Sequence, residues 1–181
     1  MTCVIGIRQE HGALIAFDSF SGGNGSLTIP RSDPKGGKLA PWLALGYTFS
    51  YRFGQILTHH VTVPEKPKGN SFDWMVTMFV PAVRAALKEH GWLKIENERE
   101  EAGQAIIAVG SRIFVVHTDF QIQEPALDYV SVGAGDDVAL GALYICNGAS
   151  AKVNARKALE AAEMFTDSVR PPWHFLTVRE P

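Results

Sequence analysis

The chain has 181 residues, of which 46% are hydrophobic and 20% charged, and a formal net charge of -2; this is the size and polarity of one domain able to bury a continuous core. With no Lys/Arg run and no basic excess, nucleic acid is not expected as a partner, and with no apolar run near the roughly 20 residues of a membrane span, neither is a membrane. The opening Met-Thr-Cys-Val-Ile-Gly-Ile-Arg lacks the basic-then-apolar order of a signal peptide, and Cys3 and Cys146 are too few for a disulfide scaffold, so the expectation is a cytoplasmic protein with buried free thiols.

Residues 2–8 and 13–18 read as two short strands around a Glu10-His11-Gly12 turn, a tight hairpin. A glycine-rich excursion over 21–37, with Pro30 and Pro34, leads to one apolar run over 39–46. Helices are expected over 50–60 and 71–90, the second with Ser71 as N-cap, Asp73 in its first turn, Gly91 as its stop and Pro81 kinking or dividing it. The polar stretch 88–101 reads as a solvated loop. A second strand pair, 104–109 and 112–118, turns at Gly110-Ser111; helices follow over 136–146 and 151–167, and a last extended run over 173–178 comes after Pro171-Pro172. This order is not the strand-helix alternation of a parallel sheet. It points to an α+β fold, a four-layer αββα sandwich of two antiparallel sheets between helix layers.

That order, together with local sequence, resembles the proteasome β-subunits and above all their bacterial relative HslV, which are N-terminal-nucleophile (Ntn) hydrolases. The resemblance runs nearly end to end. It is carried by the opening strand, Ala16-Phe17-Asp18-Ser19, Gly46-Tyr47-Thr48 before a helix, Val132-Gly133-Ala134-Gly135 at a helix start and Ala158-Leu159-Glu160-Ala161-Ala162 before the final strand. It implies a threonine-type peptidase acting on polypeptide or peptide substrates, assembled as a homo-oligomeric ring. No cofactor or metal is called for. A ring ATPase unfoldase is the partner of HslV, but no docking surface for one is identified in this sequence.

Thr2 stands in the nucleophile's place. A threonine hydroxyl needs a base, and at a true N-terminus its own α-amine supplies one, with a reference pKa near 7.7–8.0 that a neighbouring positive charge lowers; the mechanism therefore requires removal of Met1. The resemblance implies a carboxylate and a lysine beside the nucleophile. Asp18 matches the aspartate, on the return strand of the hairpin that Thr2 opens. Lys38, opening the strand to Gly46, is the preferred lysine, with Lys35 second. Two positions depart from the family pattern. Phe49 and Ser50 stand where a glycine usually offers its N–H to the oxyanion, so the donor is retained while the substrate groove changes shape. Ala134 replaces a serine whose hydroxyl belongs to the network around the amine. Because losing one preorganised donor costs about a hundredfold in rate, a catalytically inactive Ntn-fold protein with a structural or assembly role is the alternative.

Other motifs weigh less. Gly133-Ala134-Gly135 could suggest a phosphate cradle, but Asp136 and Asp137 would repel an anion and instead suit the cap of the next helix. His59-His60 point apart on a helix, and His117 with Asp119 stands alone, so neither reads as a metal site. Trp74, Met75, Met78, Phe79 and Val83 make a helix more apolar than one face needs, buried in the sandwich or partly against another subunit.

Overall fold

The computed structural model describes residues 2–21, 31–146 and 150–180. In chain order these form β1 (Cys3–Gln9), β2 (Gly12–Phe17), β3 (Gly36–Ala40), β4 (Leu43–Tyr47), α1 (Tyr51–His59), α2 (Ser71–Trp74), a π-helical turn over Met75–Phe79, and α3 (Val80–Glu89). There follow β5 (Lys94–Glu96), β6 (Arg99–Glu101), β7 (Ala105–Val109), β8 (Arg112–Val116), β9 (Ile122–Gln123), β10 (Tyr129–Gly133), α4 (Asp136–Ile145), α5 (Ala151–Phe165) and β11 (His174–Arg179). One antiparallel sheet runs β10-β1-β2-β11 and the other β3-β4-β7-β8-β9.

The central strands are apolar at both parities because each sheet is covered on both faces. Cys3, Ile5 and Ile7 of β1 pack with Ala155, Leu159 and Ala162 of α5 on one side, whereas Val4, with Ile15 and Phe17 of β2, meets Ala44, Ile106 and Ile113 of the second sheet on the other, as the period of two requires. The outer face of the second sheet, through Leu45, Ile107 and Phe114, buries Phe53, Phe79 and Leu87 of α1, the π turn and α3. The expected αββα sandwich is what the chain forms.

Several elements differ from the sequence reading in ways that have physical causes. The run over 39–46 is not one strand: Pro41 and Trp42 turn the chain, so β3 begins at Gly36 and pairs with β4 from Gly36↔Gly46 to Ala40↔Leu43. The 71–90 helix is divided, as expected of Pro81, by the π turn over Met75–Phe79, and Pro81 falls in the first turn of α3. Asn70, not Ser71, caps α2, accepting from Phe72 N at 3.0 Å. Gly91 ends α3 as expected, at φ 68° with Trp92 N donating to Leu87 O at 2.8 Å and Gly91 N to Lys88 O at 3.2 Å, the Schellman arrangement. The stretch read as a loop holds a small exposed hairpin, β5–β6, turning at Asn97 and Glu98 with φ 49° and 64°. Asp136 and Asp137 lie in the first turn of α4, where they complement the helix dipole, and Gly135 is its N-cap. Trp74, Met75, Phe79 and Val83 are buried against the sheet while Met78 is exposed.

Candidate active site

The hairpin register fixes the site. Val4 pairs with Phe17, so the next step outward sets Cys3 against Asp18. The Cys3 N–H donates to Asp18 Oδ1 at 3.0 Å, and Phe20 N–H donates to Asp18 Oδ2 at 2.9 Å. The Cys3 amide is the peptide that follows Thr2, and its other end is also held: the Thr2 carbonyl accepts from Gly135 N at 3.4 Å. Thr2 is buried, and a β-carbon at Gly133, whose φ is 106°, would stand 2.3 Å from the Thr2 carbonyl oxygen. Only glycine lets β10 and its turn close over the first residue of the site.

Asp18 is fully buried, and Lys35 Nζ lies 2.8 Å from its Oδ2. Burial pulls the Lys35 ammonium below its usual pKa, and the Asp18 charge and hydrogen bond oppose that pull. Lys35 reaches this position because it ends the turn into β3, its carbonyl accepting from Tyr47 N at 3.0 Å. A β-carbon on Gly36 would meet Leu45 O at 2.3 Å and the Phe17 ring at 2.6 Å, so only glycine after the lysine lets β3 lie this close to β4 and β2.

Lys38 is elsewhere. It is an exposed residue of edge strand β3, paired with Ala44, in a surface groove with Trp42 and Arg179. The preference for Lys38 over Lys35 as Asp18's partner is thereby corrected. The lysine that opens the strand is Lys35, once the turn at Pro41 and Trp42 shifts the strand's start back to Gly36.

Phe49 takes a left-handed backbone, φ 81°, and Ser50 N donates across it to Thr48 O at 3.1 Å, a γ-turn of the strained hand. Its ring is 74% exposed beside a groove of about 430 Å³ lined by Trp92, Leu93 and Ala102. Among the described residues no carbonyl takes the Phe49 N–H. Ser50 is the N-cap of α1, its Oγ accepting from Arg52 N at 3.1 Å. Thr48 lies beside the Gly133 turn, so this corner is close to Thr2.

Ala134 is exposed and offers no hydroxyl. The nearby Ser131 does not replace it, since its Oγ donates to Val4 O at 3.0 Å and stands 3.6 Å from Cys3 Sγ. Cys3 is buried and its thiol is pushed up to about 12, chiefly by burial, which leaves it protonated and unreactive at neutral pH; Cys146 is only half-buried. One residue passed over in the sequence is Ser19. Its Oγ is buried with no hydrogen-bond partner among the described residues, and its backbone joins Arg170 and Arg31. In the sequence it stands only as the end of the Ala16-Phe17-Asp18-Ser19 run, with no role of its own.

His117 is held between Gln104 (3.4 Å) and Gln123 (2.8 Å), and the His60 ring lies against His90, tilted by 40° with 3.9 Å between ring centroids. Among the described residues no cluster of three metal-ligating side chains occurs, and no helix is long and apolar enough to cross a membrane.

No family model and no curated protein sequence matches the chain; the likeness is structural. BPH from Thiobacillus denitrificans, solved in complex with epoxomicin, superposes with a TM-score of 0.81 at 24% identity over 99% of this chain and 100% of that one. HslV from Trypanosoma brucei gives 0.70 at 16% identity over 98% and 99%, and Anbu, an ancestral β-subunit from Yersinia bercovieri, 0.70 at 12% over 98% and 81%. The chain has the fold of the HslV- and proteasome-like Ntn hydrolases.

Proposed function

We propose that this protein is a cytoplasmic N-terminal threonine peptidase of the HslV and proteasome type, cutting amide bonds of peptide or polypeptide substrates as one subunit of a homo-oligomeric ring. One observation carries the reading: the Thr2–Cys3 peptide is gripped at both ends, by Asp18 and by Gly135, while Asp18 holds a buried Lys35. That geometry suits a nucleophile that must not move and a positive charge that must stay near it.

After removal of Met1, the Thr2 amine takes the hydroxyl proton as Oγ attacks the substrate carbonyl. The Lys35 charge lowers the amine's pKa and enlarges its neutral fraction. The Phe49 N–H, without a partner carbonyl among the described residues, is the donor for the oxyanion. Collapse passes the proton from the amine to the leaving nitrogen and leaves an ester on Thr2; water, deprotonated by the same amine, hydrolyses it. No step calls for a metal or cofactor.

Epoxomicin tests this, because an epoxyketone captures both the hydroxyl and the free amine of an N-terminal threonine. Intact mass is expected to show loss of Met1 and one adduct per chain, absent in Thr2→Ala. Retained Met1, or clean removal with no adduct, would defeat the mechanism. A second reading, a ring-forming protein of this fold without turnover, is favoured by Ala134, which leaves the amine without the hydroxyl that the family usually places there; it predicts unchanged assembly and no adduct.

A further inference from the structure

Tyr51, the first residue of α1, touches the chain on both sides of the site. Its hydroxyl donates to the Ser19 carbonyl at 3.5 Å, and the same carbonyl accepts from Arg31 N at 3.2 Å. The Arg31 guanidinium lies 3.9 Å from the Tyr51 ring centroid, and Lys35 Nζ lies 6.0 Å from it. Arg31 is in turn paired with Asp33 at 2.8 and 2.6 Å. Tyr47 meets Tyr51 edge-on, 6.2 Å between centroids, and donates to Pro34 O at 3.4 Å. Burial raises the Tyr51 hydroxyl's pKa, so it stays a neutral donor.

One aromatic ring therefore joins three segments: the one leaving β2 through Ser19, the one entering β3 through Arg31 and Lys35, and the start of α1. A ring's negative face attracts cations and excludes water. We propose that Tyr51 is a positioning residue for the Lys35–Asp18 pair: its ring shields the Lys35 ammonium and holds it against Asp18, and its hydroxyl fixes the Ser19 segment that follows Asp18. This rests on the threonine-peptidase reading for its consequence in catalysis, but not for the hold on Lys35. Tyr51 touches neither substrate nor reacting atoms in this scheme; it acts through Lys35.

Two readouts separate these levels. The first, independent of activity, is acylation of the folded protein by acetic anhydride, with Lys35 and Lys38 followed by peptide mass spectrometry. Lys35 is expected to be protected relative to Lys38 in the native protein and in Tyr51→Phe, and to react about 10-fold faster in Tyr51→Ala with Lys38 unchanged, the scale of losing one desolvated cation–ring contact. The second is the pH dependence of epoxomicin adduct formation. Tyr51→Ala is expected to slow it about 100-fold and to move the acidic limb to higher pH, because the amine loses a fixed positive neighbour; Tyr51→Phe keeps the limb in place. Tyr51→Leu, which retains apolar bulk, is read in the same way if Tyr51→Ala does not fold. Unchanged Lys35 protection in Tyr51→Ala or Tyr51→Leu overturns the proposal, and so does a slowed adduct with an unmoved acidic limb. If the native protein forms no adduct, the peptidase reading fails, and the acylation ratio alone decides whether Tyr51 holds Lys35.

Discussion

Two lysine–carboxylate pairs in this protein have the same chemistry and opposite surroundings. Lys35 and Asp18, with side chains 3% and 0% exposed, are locked at the corner of both sheets, whereas Lys94 and Glu96, 63% and 56% exposed, sit on the outer hairpin β5–β6. The buried pair is shielded from solvent, and the Asp18 carboxylate is held by the Lys35 ammonium and by the Cys3 and Phe20 N–H groups. The outer pair keeps its water and is screened by salt. A buried ion pair is a weak way to gain stability but a strong way to fix a position, and fixed position is what the proposed threonine mechanism requires.

The sharpest way to break this contrast is Asp18→Ala. It takes the Asp18 carboxylate from the buried Lys35 ammonium and orphans two N–H groups, and a loss of about 3–5 kcal/mol in denaturant-measured stability is expected, together with loss of adduct formation; a smaller change would mean that the Lys35 ammonium is held well enough without Asp18. Lys35→Ala against Lys38→Ala comes next. The first is expected to lower the rate of adduct formation by about 100-fold or more and the second to leave it unaltered, and equal effects would reinstate Lys38. Phe49→Gly relieves a left-handed phenylalanine whose ring is largely exposed, so a stability gain of up to about 1 kcal/mol is expected in urea melts, with the backbone donor retained. Least affected should be Lys94→Ala, for which an unchanged unfolding midpoint at both low and high salt is expected.

The sandwich was legible because its signals are local. Short, β-rich apolar runs in 2–8 and 13–18, the Gly91 stop and the strand pair at Gly110-Ser111 each declare an element without reference to distant chain. Asp18 was legible only through the resemblance, since its place in the sequence suits the start of a turn equally well; the hairpin register then sets it against Cys3. Lys35 was not. The turn at Pro41 and Trp42 lies inside an apolar run whose pattern suits one strand as well as two, and a shift in the strand's start exchanges one lysine for another. Nor could Tyr51 be seen, because its partners Ser19, Arg31 and Lys35 come together only when α1 packs beside the mouth of β3.

What the sequence determined by itself was the order of layers and the hairpin that sets Asp18 across from the first residues of the chain, both consequences of periodicity and short turns; the proposed role of Thr2 came from the family resemblance. What the tertiary structure alone decided was which lysine is buried against Asp18, that Phe49 takes a left-handed turn, and that the buried Ser19 hydroxyl has no partner among the described residues. Those outcomes depend on how two sheets and a helix end meet. Burial and desolvation are properties of that meeting, and no single segment carries them.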